Sequence, residues 1–231
     1  MKYRLLVIAA SAGLLAGCPI EDDEVQEPVT AGYTVSVNNL TPNQPLSPLA
    51  ILAHNDQYSM FQIGQSASNS LEVMAEGGDN SNLLAESTND GNVGYSFSGT
   101  GVILPGTSDS VSFTIDSSVA QQLSVASMLV NTNDGFVGET QLDIGSLAVG
   151  ESLTMNMAVW DAGTEANDES AVSIPGPAAG GEGYNSIRDD NDRVSFHAGV
   201  ISQDDGLAGS ALDATHRFLN PGARLTITRT E

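Results

Sequence analysis

"LTMNMAVWDAGTEANDES", residues 153–170, decides how this chain is read. Its first half alternates apolar Leu153, Met155 and Met157 with polar Thr154 and Asn156, the two-residue period of a half-buried strand. Its second half places four carboxylates, Asp161, Glu165, Asp168 and Glu169, and the carboxamide Asn167 together, with no basic residue among them. Just upstream, "NTNDGFVG" (131–138) reads as another polar loop after a strand. Between the two loops lie "ETQLDIGSL", a turn at "AVGES" and the strand that ends in Trp160. One excursion out and one back returns the chain to the end it left. Asp134 and Asp161 are therefore expected at the same end of the fold.

Outward from this pair, the period stays mostly two. "YTVSVNN" puts Tyr33, Val35 and Val37 on one face, and "LAILAHN", "VSFTI", "LSVASMLV", "RVSFHAGV" (193–200) and "RLTITR" (224–229) follow. Gly, Asn, Asp, Ser and Pro punctuate these short runs. "SLEVMAEGGDNSNLLAES" (70–87) is the helical candidate, expected as one or two short helices. Seven or eight strands and so little helix predict an all-β fold, an antiparallel β-sandwich.

Carboxylates and carbonyls gathered at one end of a sandwich suit a hard cation. Calcium takes six to eight oxygens and tolerates irregular loops, whereas magnesium demands stricter geometry. Asp134, Asp161 and Glu165 are the expected metal ligands, with Asn167, Asp168 and loop carbonyls in reserve. Zinc prefers histidine or cysteine, and His54, His197 and His216 have no partner at ligand spacing. "NTNDG" lacks the repeated acids and closing glutamate of an EF-hand loop. "RDDND" (188–192) and "SQDDGLAG" (202–209) read first as turns. His54 is expected to be a hydrogen-bonded structural residue, and His197 to face away from the core or line the second sheet. Trp160 is expected to pack beneath the acidic loop.

The whole chain agrees with a cation-seeking surface. It has 231 residues, 29 acids against 7 bases, and a net charge of −22. Such a surface repels nucleic acid and anionic headgroups. The sequence shows no P-loop, no dinucleotide fingerprint and no G-x-S-x-G nucleophile elbow.

The start, "MKYRLLVIAASAGLLAGC", has a short basic beginning, an apolar run and small residues before a cysteine. "LAGC" (15–18) resembles the bacterial lipobox, and Cys18 is the chain's single cysteine. Residues 1–17 are thus expected to be a lipoprotein signal peptide and Cys18 the lipidation site, leaving no thiol for a disulfide. Residues 18–30, acidic and carrying two prolines, read as a tether. Pro19 and Ile20 supply no acid for inner-membrane retention, so the expected location is the cell envelope, at the outer membrane.

"NDGFVG" (133–138), "DAGTE" (161–165), "LSPLAILAHN" (46–55) and "HRFLNPGARLTITR" (216–229) together resemble the spondin amino-terminal domain family, over residues 31–231. The resemblance implies a C2-like sandwich with calcium bound at one end, and adhesion or matrix binding instead of catalysis. Carried over, the acid of "NDGFVG" is Asp134, and the first and last acids of "DAGTE" are Asp161 and Glu165. The animal members generally carry an aromatic residue beside the first acid, where this chain has Gly135 before Phe136. They also use disulfides, which one cysteine cannot form. The expected function is a lipid-anchored, calcium-binding adhesion or interaction module of the cell envelope, not an enzyme. Its expected partner is an extracellular or envelope protein or glycan. The alternatives are a metal-assisted hydrolase using the same acidic end, and a ligand-free structural lipoprotein.

Overall fold

The structure, a computed structural model, describes residues 29–231. Cys18, the signal peptide and nearly all of the tether lie outside the described residues. Ten strands and two short helices follow in the order β1 (Thr30–Asn39), β2 (Ala50–His54), α1 (Asn69–Gly77), α2 (Ser81–Asn89), β3 (Val93–Ser98), β4 (Ser108–Asp116), β5 (Gln122–Met128), β6 (Gly135–Asp143), β7 (Ser152–Met157), β8 (Val159–Asp161), β9 (Ser195–Phe196) and β10 (Ala223–Arg229). They form two antiparallel sheets, β4-β1-β10-β7 and β3-β2-β5-β6-β8-β9. The all-β sandwich expected from the period is what the chain forms.

The four-stranded sheet shows the alternation plainly. Tyr33, Val35 and Val37 of β1 and Leu225 and Ile227 of β10 point into the space between the sheets, and their neighbours face out. The Tyr33 hydroxyl reaches across to donate to the Ile144 carbonyl at 3.0 Å.

The six-stranded sheet is covered on both faces. Ile51 and Ala53 enter the inter-sheet core, while Ala50 and Leu52 enter a second core beneath the helices. Leu71, Met74 and Ala75 of α1, Leu83 of α2, Phe136 and Trp160 share that second core. Burial on both faces explains why β2 reads as a continuous apolar run. The helix starts where Ser68 caps it, its side chain accepting from the Leu71 N–H at 3.1 Å.

Three sequence expectations change. "LTMNMAVW" is two strands: β7 pairs with β10 in one sheet, and after Ala158 the chain crosses to pair β8 with β6 in the other. The crossing is held by Asn220, whose side-chain oxygen accepts from the Val159 N–H at 2.6 Å. Secondly, only Asn131–Asp134 of the "NTNDGFVG" loop is loop, because Gly135 already belongs to β6. Thirdly, only Ser195 and Phe196 of "RVSFHAGV" are strand. "VGYSFS" forms a further strand, β3, at the edge of the six-stranded sheet.

Candidate metal centre

The return of the chain to its starting end is observed directly. Gly135 pairs with Asp161 across β6 and β8, and the Ala162 N–H meets the Asp134 carbonyl at 3.3 Å. Asp134 precedes the first residue of β6 and Asp161 is the last of β8, so pairing alone sets them side by side.

The turn before Asp134 is closed by Thr132. Its hydroxyl donates to the Leu129 carbonyl at 2.7 Å and accepts from the Gly135 N–H at 2.9 Å. A Cβ on Gly135 would lie 2.6 Å from the Thr132 hydroxyl oxygen and 3.0 Å from the His197 ring. The aromatic residue expected of the animal members beside the first acid has no room here.

After Asp161 the chain folds back over Asp134. Gly163 takes φ +71°, and a Cβ there would fall 2.4 Å from the Arg193 carbonyl oxygen, so the turn needs glycine. It aims three donors at one oxygen: the Thr164 N–H (2.7 Å), the Thr164 hydroxyl (3.2 Å) and the Glu165 N–H (3.1 Å) all reach Asp134 Oδ2. Asp134 Oδ1, equally buried, has no hydrogen-bond partner. Neither has Glu165 Oε2 or Asn133 Oδ1.

Asp161 accepts from the Gly163 N–H at 2.8 Å and from the Asn167 side chain at 2.6 Å. The two reserve residues thus hold the loop's shape. Asn167 supports Asp161, and Asp168 Oδ1 accepts from the Ser170 N–H and the Ser173 hydroxyl, both at 2.8 Å. Glu169 turns to another loop, accepting from the Ile201 N–H at 3.0 Å.

The electrostatics are those of acids without a counter-ion. Among the described residues, no ion pair reaches Asp134, Asp161 or Glu165. Burial, reinforced by the charge of Asp161, pushes Asp134 up to about 7. Burial, then the charges of Glu76, Asp134, Asp189 and Asp168, push Glu165 up to about 8. A buried carboxylate is stable only if neutralised. Here that leaves a proton or a cation.

Among the described residues, no three His, Cys, Asp or Glu side chains are drawn together tightly enough to hold a metal by themselves. The fit to calcium rests instead on the partnerless buried oxygens of Asp134, Glu165 and Asn133, an all-oxygen set that carbonyls and water can complete. Nitrogen ligation does not fit. His197 Nδ1 accepts from the Gly199 N–H at 3.0 Å, which puts the ring proton on Nε2, and burial holds the ring neutral by lowering its pKa. His197 is buried edge-on against Phe218, with ring centroids 5.1 Å apart, not turned away from the core. His54 is the structural residue expected, bonded to the Asn55 carbonyl at 2.7 Å and the Ser124 hydroxyl at 2.8 Å.

Trp160 lies in the second core, beneath the helices. Its indole N–H donates to the Gly138 carbonyl at 2.9 Å, and its ring stacks on Phe196 at 4.5 Å. Sequence reasoning missed Glu76 of α1, whose charge acts more strongly on Glu165 than any other. The signal for it was indirect: beyond Arg4 the chain has no lysine and five arginines, too few to match its acids.

A two-sheet sandwich with an acid-lined loop end defines the class. The spondin N-terminal domain (Spondin_N) matches residues 39–192, and the chain belongs to that family. The match spans Glu76, Asp134, Asp161 and Glu165 and stops short of β10, so the closing "HRFLNPGARLTITR" lies outside it. No curated protein matches the chain. Family membership points to an extracellular, adhesion-type module. Among the described residues, no helix is long and apolar enough to cross a membrane.

Proposed function

We propose that this chain is a calcium-dependent adhesion or interaction module, held at the cell envelope by lipid on Cys18, with no catalytic activity of its own. Asp134, Asp161 and Glu165 hold the ion, and loop carbonyls complete its oxygen shell. The observation that carries the reading is Asp134: wholly buried, one carboxylate oxygen held by three donors, the other with no partner, and a second carboxylate beside it.

The ion supplies positive charge where like charges crowd. Neutralised, the three acids fix the 161–169 loop against β6 and present one end of the sandwich as a defined surface to an extracellular or envelope protein or glycan. Asn167 and Gly163 set the loop's path, and the Thr164 and Glu165 N–H groups occupy Asp134 Oδ2, leaving the buried Oδ1 for the ion. Calorimetric titration with calcium in the presence of magnesium tests the reading. Saturable binding, lost in Asp161→Ala, supports it; unchanged affinity in that variant removes Asp161 from the site.

A further inference from the structure

We propose that Glu76 is a further carboxylate ligand of this ion, so that calcium ties helix α1 to the 161–165 loop. The inference rests on the calcium reading above. It starts from two glutamates one helical turn apart on α1, Glu72 and Glu76, which are 3% and 1% exposed. Helical glutamates in a soluble domain are rarely buried unless paired.

Glu72 has its partner: Arg188 Nη2 stands 2.6 Å from its Oε2. Glu76 has none among the described residues. Its Oε2 accepts the Asn185 N–H at 2.8 Å, and its Oε1 is buried with no hydrogen-bond partner. The same helix face therefore carries one neutralised carboxylate and one waiting for a cation.

The chain places that cation beside Glu165. Residues 183–189 run against α1 and the acidic loop at once. A Cβ on Gly183 would come within 3.2 Å of the Gly77 Cα. Farther along, the Asp189 N–H donates to the Thr164 carbonyl at 3.1 Å, and the Ala166 N–H donates to Asp189 Oδ1 at 2.8 Å. Glu76 and Glu165 are thus closed in by one strap, each with a partnerless oxygen, and Glu76 is the foremost charge acting on Glu165. Two buried carboxylates in contact range of each other's field share a proton or a metal ion.

The test uses the full chain, with calcium as the probe. Glu76→Gln keeps an acceptor for the Asn185 N–H and removes the charge. It is expected to weaken calcium binding at least tenfold at unchanged stoichiometry. In the native chain, calcium is expected to slow amide exchange in α1 and in 183–189, and Glu76→Gln to abolish that slowing. Native affinity in Glu76→Gln overturns the role of Glu76 and leaves the calcium site standing. Absence of calcium-dependent protection in α1 of the native chain overturns it as well, whether or not the variant folds. No calcium binding by the native chain overturns both readings together.

Discussion

Asp134→Asn should make the calcium-free protein more stable at pH 8 while removing its response to calcium. The native carboxyl is wholly buried and raised from 3.8 to about 7. Between those values the unfolded chain is ionised and the folded chain holds the proton. The folded state then binds more protons, so stability falls as pH rises through this window and the loss is complete above it. At about 1.4 kcal/mol per pH unit the full displacement sets a ceiling of about 4 kcal/mol. Asparagine offers the same acceptor to the Thr164 and Glu165 N–H groups and never ionises. In chelator at pH 8 the variant should therefore melt above the native protein, by roughly 5–10 °C for about 2–3 kcal/mol in a domain of this size. At pH 5 less than half of the window has been crossed, and the gap should shrink to about 1.7 kcal/mol at the ceiling. Calcium at a hundred times its dissociation constant adds about 2.7 kcal/mol to the native protein only, closing the gap, and at a thousand times about 4.1 kcal/mol, reversing the order. Melting curves at both pH values, with and without calcium, read all of this. A variant that melts below the native protein in chelator at pH 8 would refute the view of Asp134 as an uncompensated buried charge.

Other perturbations have equally definite outcomes. Gly163→Ala forces a side chain into φ +71° and onto the Arg193 backbone, so it should destabilise by about 2 kcal/mol or more and weaken calcium, measured by denaturant melts and titration. Leu71→Ala empties a wholly buried position beneath α1 and should lose about 2–5 kcal/mol in the same melts. His54, held neutral by burial with its pKa lowered, loses stability as pH falls below about 6.5; His54→Gln should flatten that acid-side decline in pH-dependent melts. Trp160→Phe forfeits the bond to the Gly138 carbonyl and should lower stability by about 1 kcal/mol while leaving calcium affinity intact.

The legible parts of this chain were those where one physical rule acts alone. β1 and β10 have one face in the core and one in water, so the period of two shows in Tyr33, Val35 and Val37 and in Leu225 and Ile227. Asp134 and Asp161 were placed together by chain reversal, and the Gly135–Asp161 pairing bears that out. The rest needed long-range facts. β6 starts inside a run of turn formers because Thr132 closes the turn early, leaving "GFVG" to pair. The break between β7 and β8 depends on Asn220, far along the chain. His197 is buried against Phe218, while Phe196, stacked on Trp160, takes the exposed side. Glu76 looks like an ordinary solvated helical acid in sequence; its burial depends on segments far along the chain, Asn185 among them. Asn167 and Asp168, the reserve ligands, each lend a side-chain atom to the loop's own hydrogen bonds, which the sequence does not show.

The central claim is that a cation belongs at the buried carboxylates beside Trp160, the chain's single tryptophan. Terbium, which takes calcium's oxygen ligands and emits when an indole close by is excited, tests this most directly. The account predicts saturable terbium emission on tryptophan excitation, displaced by calcium and lost in Asp134→Asn and Asp161→Asn. Emission that never appears, or that survives both substitutions, contradicts it.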